Sequence, residues 1–178
     1  VIGVMLPGVS ELVSSGAKRL CVIATKTSIE SGAFQREIHK LAPDAEVLAL
    51  ACPDFVPMIE SGHIDAADPL VIKTVAETLA PVKAFGCEAM LLGCTHYGII
   101  AEAISNYLPE ARLIGAADAA ARQMRDYLSE NAMLSDNKTC TEYYTSGSTE
   151  DFETLAPVML GHELESPVRF VPPMPTEE

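Results

Sequence analysis

The residues best spaced for chemistry are Cys94-Thr95-His96, which follow the apolar run Met90-Leu91-Leu92 and a glycine, Gly93. A thiol there stands at the end of a strand and just ahead of a helix, a placement that in general favours thiolate over thiol. His96 is placed to polarise that thiol or to hydrogen-bond a carboxylate, and Thr95 offers a hydroxyl and an N–H to an anionic ligand. Spacing alone leaves another reading open, a buried structural cysteine beside a surface histidine. Thr25-Lys26-Thr27-Ser28 reads as a strand-to-helix turn able to hold an anion, with Thr25 and Ser28 as its hydroxyls. Glu60 ends a short helix, and by position alone it reads as a solvated carboxylate. Cys21 and Cys87 fall near strand starts and read as core, Cys52 as part of a turn, and Cys140 as a structural residue opening a strand. The cysteines and histidines lack paired ligand spacing, so no metal is expected. Neither GxGxxG nor GxxxxGK(S/T) occurs, so no nucleotide cofactor is expected.

These groups matter only if the fold brings them together. Short apolar, β-branched runs predict strands over 18–25, 45–51, 87–93, 111–114, 139–145 and 168–171. Helical spacing predicts helices over 28–41, 55–60, 68–85, 99–108, 117–128 and 149–160, the first capped by Ser28 or Ser31. Strand and helix alternate, which predicts an α/β architecture: a mostly parallel sheet with helices on both faces. In such sheets ligands bind outside the C-terminal ends of the strands. The turns at Thr25–Ser28, Cys52–Asp54 and Gly93–His96 would then converge at one edge. The polar stretch 129–137 marks a change of composition, and no internal repeat is present.

Composition sets the outer limits. The chain has 178 residues, 48% of them hydrophobic and 21% charged, the make-up of a globular domain and not of a disordered segment. Twelve basic residues against 25 acidic ones give a net charge of −13. With no basic cluster beyond Lys18-Arg19, neither nucleic acid nor an anionic membrane is an expected partner. A small anion held by backbone N–H groups remains possible. Five cysteines without CxxC read as reduced thiols, and with neither a signal-peptide pattern nor an 18-residue apolar run this points to a cytoplasmic protein. The chain opens at Val1, without Met, inside the apolar segment Val1-Ile2-Gly3-Val4, which reads as a cut within a domain.

Leu91-Leu92-Gly93-Cys94-Thr95-His96-Tyr97 resembles the GCTHY signature of the glutamate racemases, in the aspartate/glutamate racemase superfamily. Ala51-Cys52-Pro53-Asp54-Phe55-Val56-Pro57 with Glu60 is similar to that family's ACPxFVPxxE block. Val1-Ile2-Gly3-Val4 with Pro7-Gly8, Val22-Ile23-Ala24-Thr25 with Ser31-Gly32, and 145–160 extend the likeness along nearly the whole chain. The resemblance implies a cofactor-independent racemase with two pseudo-symmetric α/β lobes, each giving one cysteine to a shared cleft. One thiolate removes the Cα proton of glutamate and the opposite thiol reprotonates the other face, making D-glutamate for peptidoglycan. On this likeness Cys94 is the second-lobe thiol, Thr95 and His96 contact the substrate or assist, and Glu60 is an acidic residue near the thiol.

The departures are Gly98 for a usual Pro, Lys26-Thr27 for a more glycine-like turn, and Gly115-Ala116 for an acidic and a small polar residue. No cysteine matches the first-lobe position. The expected organisation is thus a second lobe over 1–116 and a segment over 117–178 that returns to the first lobe, with one thiol too few for racemisation. A homodimer is implied by the family. The open alternatives are a racemase for aspartate or another small acid, a one-thiol decarboxylase of an activated malonate, and a non-catalytic truncated domain.

Overall fold

A computed structural model describes residues 1–135 and 140–173. It divides into two compact units, Val1–Leu134 and Ser135–Glu178. The first carries β1 (Arg19–Ala24), β2 (Glu46–Ala51), β3 (Ala89–Leu92) and β4 (Arg112–Gly115), hydrogen-bonded in the order β2-β1-β3-β4. All three pairings are parallel, with Leu20 beside both Val47 and Ala89, and Ala89 beside Arg112. The four apolar runs become strands because a parallel sheet covered on both faces buries every side chain of its central strands. In β1 all residues after Arg19 are buried.

The helices of this unit are α1 (Met5–Ser14), α2 (Lys26–Glu30), α3 (Ala33–Leu41), α4 (Phe55–Glu60), α5 (Pro69–Phe85), α6 (Ala101–Tyr107) and α7 (Ala116–Glu130). Leu20, Val22, Ala24, Ala89, Leu91 and Ile114 form one core with Val9 and Leu12 of α1 and Phe34 and Ile38 of α3. The alternate residues Cys21, Ile23, Met90 and Leu92 point to the opposite face. There α5 buries Val71, Val75, Leu79 and Val82. Each such fully buried aliphatic side chain contributes roughly 1.5–3 kcal/mol. Asp68 starts α5 by accepting the Leu70 N–H at 2.8 Å, with Pro69 at a position that needs no N–H.

Two expectations need correction. The segment containing Pro7-Gly8 is helical from Met5 to Ser14, an element absent from the periodicity reading. The single helix expected over 28–41 is two, broken at Ser31–Gly32, where Gly32 takes φ +65°. Of the two serines proposed to start it, Ser28 Oγ meets Thr25 Oγ1 at 3.0 Å, whereas Ser31 Oγ accepts the Ala33 N–H at 3.2 Å where α3 begins. The first compact unit runs to Leu134, past the start of α7 at Ala116. The helix beginning there packs on α1, and Arg122 donates two hydrogen bonds to Glu11, at 3.0 and 2.8 Å.

The second unit is a small βαβ arrangement of β5 (Tyr143–Thr145), α8 (Thr149–Leu160) and β6 (Val168–Phe170), the strands parallel. Ser148 caps α8 by accepting the Asp151 N–H at 3.1 Å. The strand expected over 139–145 is shorter, and Thr139 lies outside the described residues. Cys140 is exposed ahead of that strand, so it is not the structural residue expected there.

At the opposite end of the sheet from the strand tips, Glu88 accepts the Lys18 and Arg19 N–H groups at 2.8 and 3.2 Å and pairs with the Arg19 guanidinium at 2.8 Å. Those two backbone bonds, then the Arg19 charge, hold its carboxyl below the usual carboxylate range. A carboxyl with a depressed folded-state pKa adds stability above its unfolded pKa and loses it as pH falls through the folded one. Glu88→Gln should therefore lower the urea midpoint near neutral pH, and the gap should close as pH falls below the usual carboxylate pKa of about 4.3. A gap that persists unchanged in acid would contradict this origin.

Candidate active site

The three strand ends do meet at one edge. Gly93 N–H donates to the Ile23 carbonyl at 2.8 Å and Cys52 N–H to the Ala24 carbonyl at 3.0 Å, so the turns after β2 and β3 both hang on the end of β1. Gly93 is required by that approach. A Cβ on it would lie 3.0 Å from the Ile23 carbonyl oxygen, 3.0 Å from Phe34 and 3.2 Å from Ala24.

Cys94 follows in extended conformation and is partly exposed. Thr95–Ile100 is a 3₁₀ turn, so the helix expected from residue 99 begins only at Ala101. Cys94 Sγ lies 3.8 Å from His96 Nδ1, the outer reach of a sulfur hydrogen bond, and His96 Nε2 lies 3.2 Å from Glu60 Oε1. A carboxylate only accepts, so Glu60 selects the His96 tautomer with the proton on Nε2. Nδ1 is then left with its lone pair towards the thiol. Thiol, imidazole and carboxylate thus lie in line from the turn after β3 to the end of α4. Glu60, whose position alone reads as a solvated carboxylate, is half-exposed and bonded to the imidazole.

Thr25 and Ser28 sit at the same edge, at the end of β1 and in α2. Their hydroxyls hydrogen-bond each other at 3.0 Å, and the Thr25 carbonyl accepts the Ile29 N–H. Thr95 is exposed beside Cys94. These hydroxyls flank that line without being bonded into it.

The other thiols are built differently. Cys52 is buried, and burial first, then the nearby Asp54 and Cys94, push its thiol up to about 12. It is therefore held protonated near neutral pH. Cys21 and Cys87 are buried near the starts of β1 and β3, as expected of core residues, and their mutual hydrogen bond and burial hold the Cys21 thiol protonated. Cys94 is the one partly exposed thiol at the strand tips. Among the described residues no three His, Cys, Asp or Glu are grouped as a metal site, and no helix is long and apolar enough to cross a membrane.

Spacing gave no sign of Tyr97. It is fully buried, its N–H donates to the Cys94 carbonyl at 3.1 Å, and its hydroxyl donates to the Cys52 carbonyl at 2.9 Å. Its ring meets Phe55 edge-on, with centroids 5.2 Å apart. Its only sequence signal is a place in the GCTHY block, since a backbone acceptor 45 residues away leaves no trace in spacing.

The site is a thiol–imidazole–carboxylate line at the strand tips of an open parallel α/β domain. The particular family follows from comparison. Residues 1–124 match the model of the Asp/Glu/Hydantoin racemase family, and the chain belongs to that family. It is 34% identical over 170 residues to the glutamate racemase of Exiguobacterium sibiricum, covering 93% of this chain and 62% of that protein. It is 36% identical over 174 residues to that of Streptococcus equi subsp. equi, covering 93% and 63%. Among solved structures it resembles the Francisella tularensis glutamate racemase in complex with D-glutamate, with a TM-score of 0.83 at 30% identity over 97% of this chain and 63% of that one. A Bacillus anthracis glutamate racemase gives a TM-score of 0.87 at 28% identity, covering 99% and 66%. The chain spans about three fifths of the length of the two curated relatives.

Proposed function

We propose that this chain supplies one thiol-bearing half of a cofactor-independent glutamate racemase site, with Cys94 as its proton carrier. The observation that carries the reading is the line Cys94–His96–Glu60 at the strand tips, in a chain whose relatives are named glutamate racemases. Inverting a stereocentre by proton transfer needs a base on one face of Cα and an acid on the other. A thiol can serve as either near neutral pH, since its ordinary pKa is about 8.5. His96, turned by Glu60, takes up and returns the Cys94 proton, while Thr95, Thr25 and Ser28 offer donors to the substrate carboxylates, where charge develops as the Cα proton leaves. The opposite thiol would come from the lobe that the relatives carry beyond this chain's span. The D-glutamate formed would serve peptidoglycan synthesis, and the unpaired thiols fit a reducing, cytoplasmic setting.

With one competent thiol at this edge, the 178-residue chain should exchange the Cα proton of one glutamate enantiomer with D₂O and produce no measurable antipode. Mass spectrometry reads the exchange and chiral chromatography the racemisation. Robust D-glutamate formation from L-glutamate would overturn the one-thiol assignment, and absence of exchange with both enantiomers would overturn Cys94 as proton carrier. One partly exposed thiol at the strand tips also suits decarboxylation of an activated malonate, and CO₂ release from an aryl malonate without exchange on glutamate would favour that chemistry.

A further inference from the structure

We infer that Tyr97 is a positioning residue: its buried hydroxyl, bonded to the Cys52 carbonyl, sets the register between the turn that bears Cys94 and His96 and the helix that bears Glu60. The inference rests on the relay proposed above and adds the part that aligns it. His96 and Glu60 come from elements 36 residues apart, and their own contact is a partly exposed pair at 3.2 Å. Such a pair contributes little to holding two loops together. The firm connection lies beneath it. The Cys52 carbonyl receives the Tyr97 hydroxyl at 2.9 Å and the Phe55 N–H at 3.4 Å, so the residue that anchors the 3₁₀ turn and the first residue of α4 share one acceptor. The Tyr97 ring then packs on Phe55 itself, edge to face at 78°. From Phe55, α4 runs one and a half turns to Glu60. From Tyr97, the chain steps back one residue to His96 and closes on the Cys94 carbonyl. Burial, with the neighbouring Cys52 and Cys94, also holds the phenol protonated well above its ordinary range, so it stays a donor throughout the working pH range.

Tyr97→Phe removes the hydroxyl and keeps the ring. Two readouts on the 178-residue chain separate alignment from mere structure: the ¹⁵N resonances of the His96 imidazole, and the rate of Cys94 alkylation by iodoacetamide, mapped by peptide mass spectrometry. Tyr97→Phe should shift the His96 Nε2 resonance, leave those of His39, His63 and His162 in place, and slow Cys94 alkylation by about three- to tenfold. In a Glu60→Gln background it should add nothing further, because the pair it aligns is already broken. Phe55→Leu loosens the ring seat while keeping the hydroxyl, and should lower the melting temperature with little change at His96. Unchanged His96 resonances and alkylation in Tyr97→Phe, with Glu60→Gln still effective, would overturn the role of Tyr97 alone. An effect of equal size in the Glu60→Gln background, or an equal His96 shift in Phe55→Leu, would overturn it as well. A Glu60→Gln chain that behaves as the parent at both His96 and Cys94 would overturn the relay, and this inference with it.

Discussion

Cys94→Ser should reduce Cα deuterium exchange on glutamate by about 100-fold to 10,000-fold, the range over which positioned acid–base groups contribute. The substitution keeps the shape of the side chain and its place after Gly93, so the turn and the His96–Glu60 pair stay as they are. What changes is the acid itself, since a hydroxyl holds its proton far more tightly than a thiol. Cys140→Ser is the matched control: that thiol is exposed in the other unit, and its loss should leave exchange unchanged. Exchange that survives in Cys94→Ser at parental rate, in a chain with an unchanged melting temperature, would remove Cys94 from the chemistry.

The strands were the legible part of this fold. Runs such as Leu20–Ala24 and Ala89–Leu92 are apolar without alternation because both their faces are covered, and that pattern has few other readings over so short a length. Helices were legible where a face and a cap coincided, as in α5 with Asp68 and Pro69 at its start and Gly86 at its end. They were not where the periodicity was blunt. In α1 the apolar residues Met5, Val9, Leu12 and Val13 do fall on one helical face, but Pro7-Gly8 in the first turn obscures it, and the helix packs against α7, α3 and β3. In α3 the spacing of Phe34 and Ile38 marks the buried face, whereas Leu41 is exposed, and the helix does not extend back through Gly32, whose positive φ separates α2 from α3. The site shows the same division. Cys94 and His96 share one turn, so their proximity is visible in sequence, whereas Glu60 pointed to no partner until the family likeness was considered. Tyr97 had no sequence route to its role, because its acceptor is a backbone carbonyl and its depth depends on how α4 crosses the 3₁₀ turn.

Gly93→Ala should destabilise the chain by about 1–3 kcal/mol, the usual cost of overfilling a packed site, and should also impair the Cys94 turn. The new methyl would meet three neighbours at 3.0–3.2 Å, and they do not yield alike. Phe34 is a side chain and can tilt, at the expense of its packing with Ile38 in the same core. Ala24 and the Ile23 carbonyl belong to the central strand β1, which is tied to β2 on one side and β3 on the other. The carbonyl oxygen is also the acceptor of the Gly93 N–H at 2.8 Å. Relief must therefore come from the β3 side, by lifting the chain at residue 93 away from β1 and lengthening that bond. The residue carried outward by this movement is Cys94. A lower urea midpoint should accordingly appear together with weaker Cα exchange, because the thiol loses its place against His96. Gly93→Val should be worse than Gly93→Ala on both counts, since its further carbons have less room still. A Gly93→Ala chain with the parental midpoint and exchange rate would show that the β1–β3 edge is soft enough to absorb a methyl, and the close approach would then not be what positions the thiol.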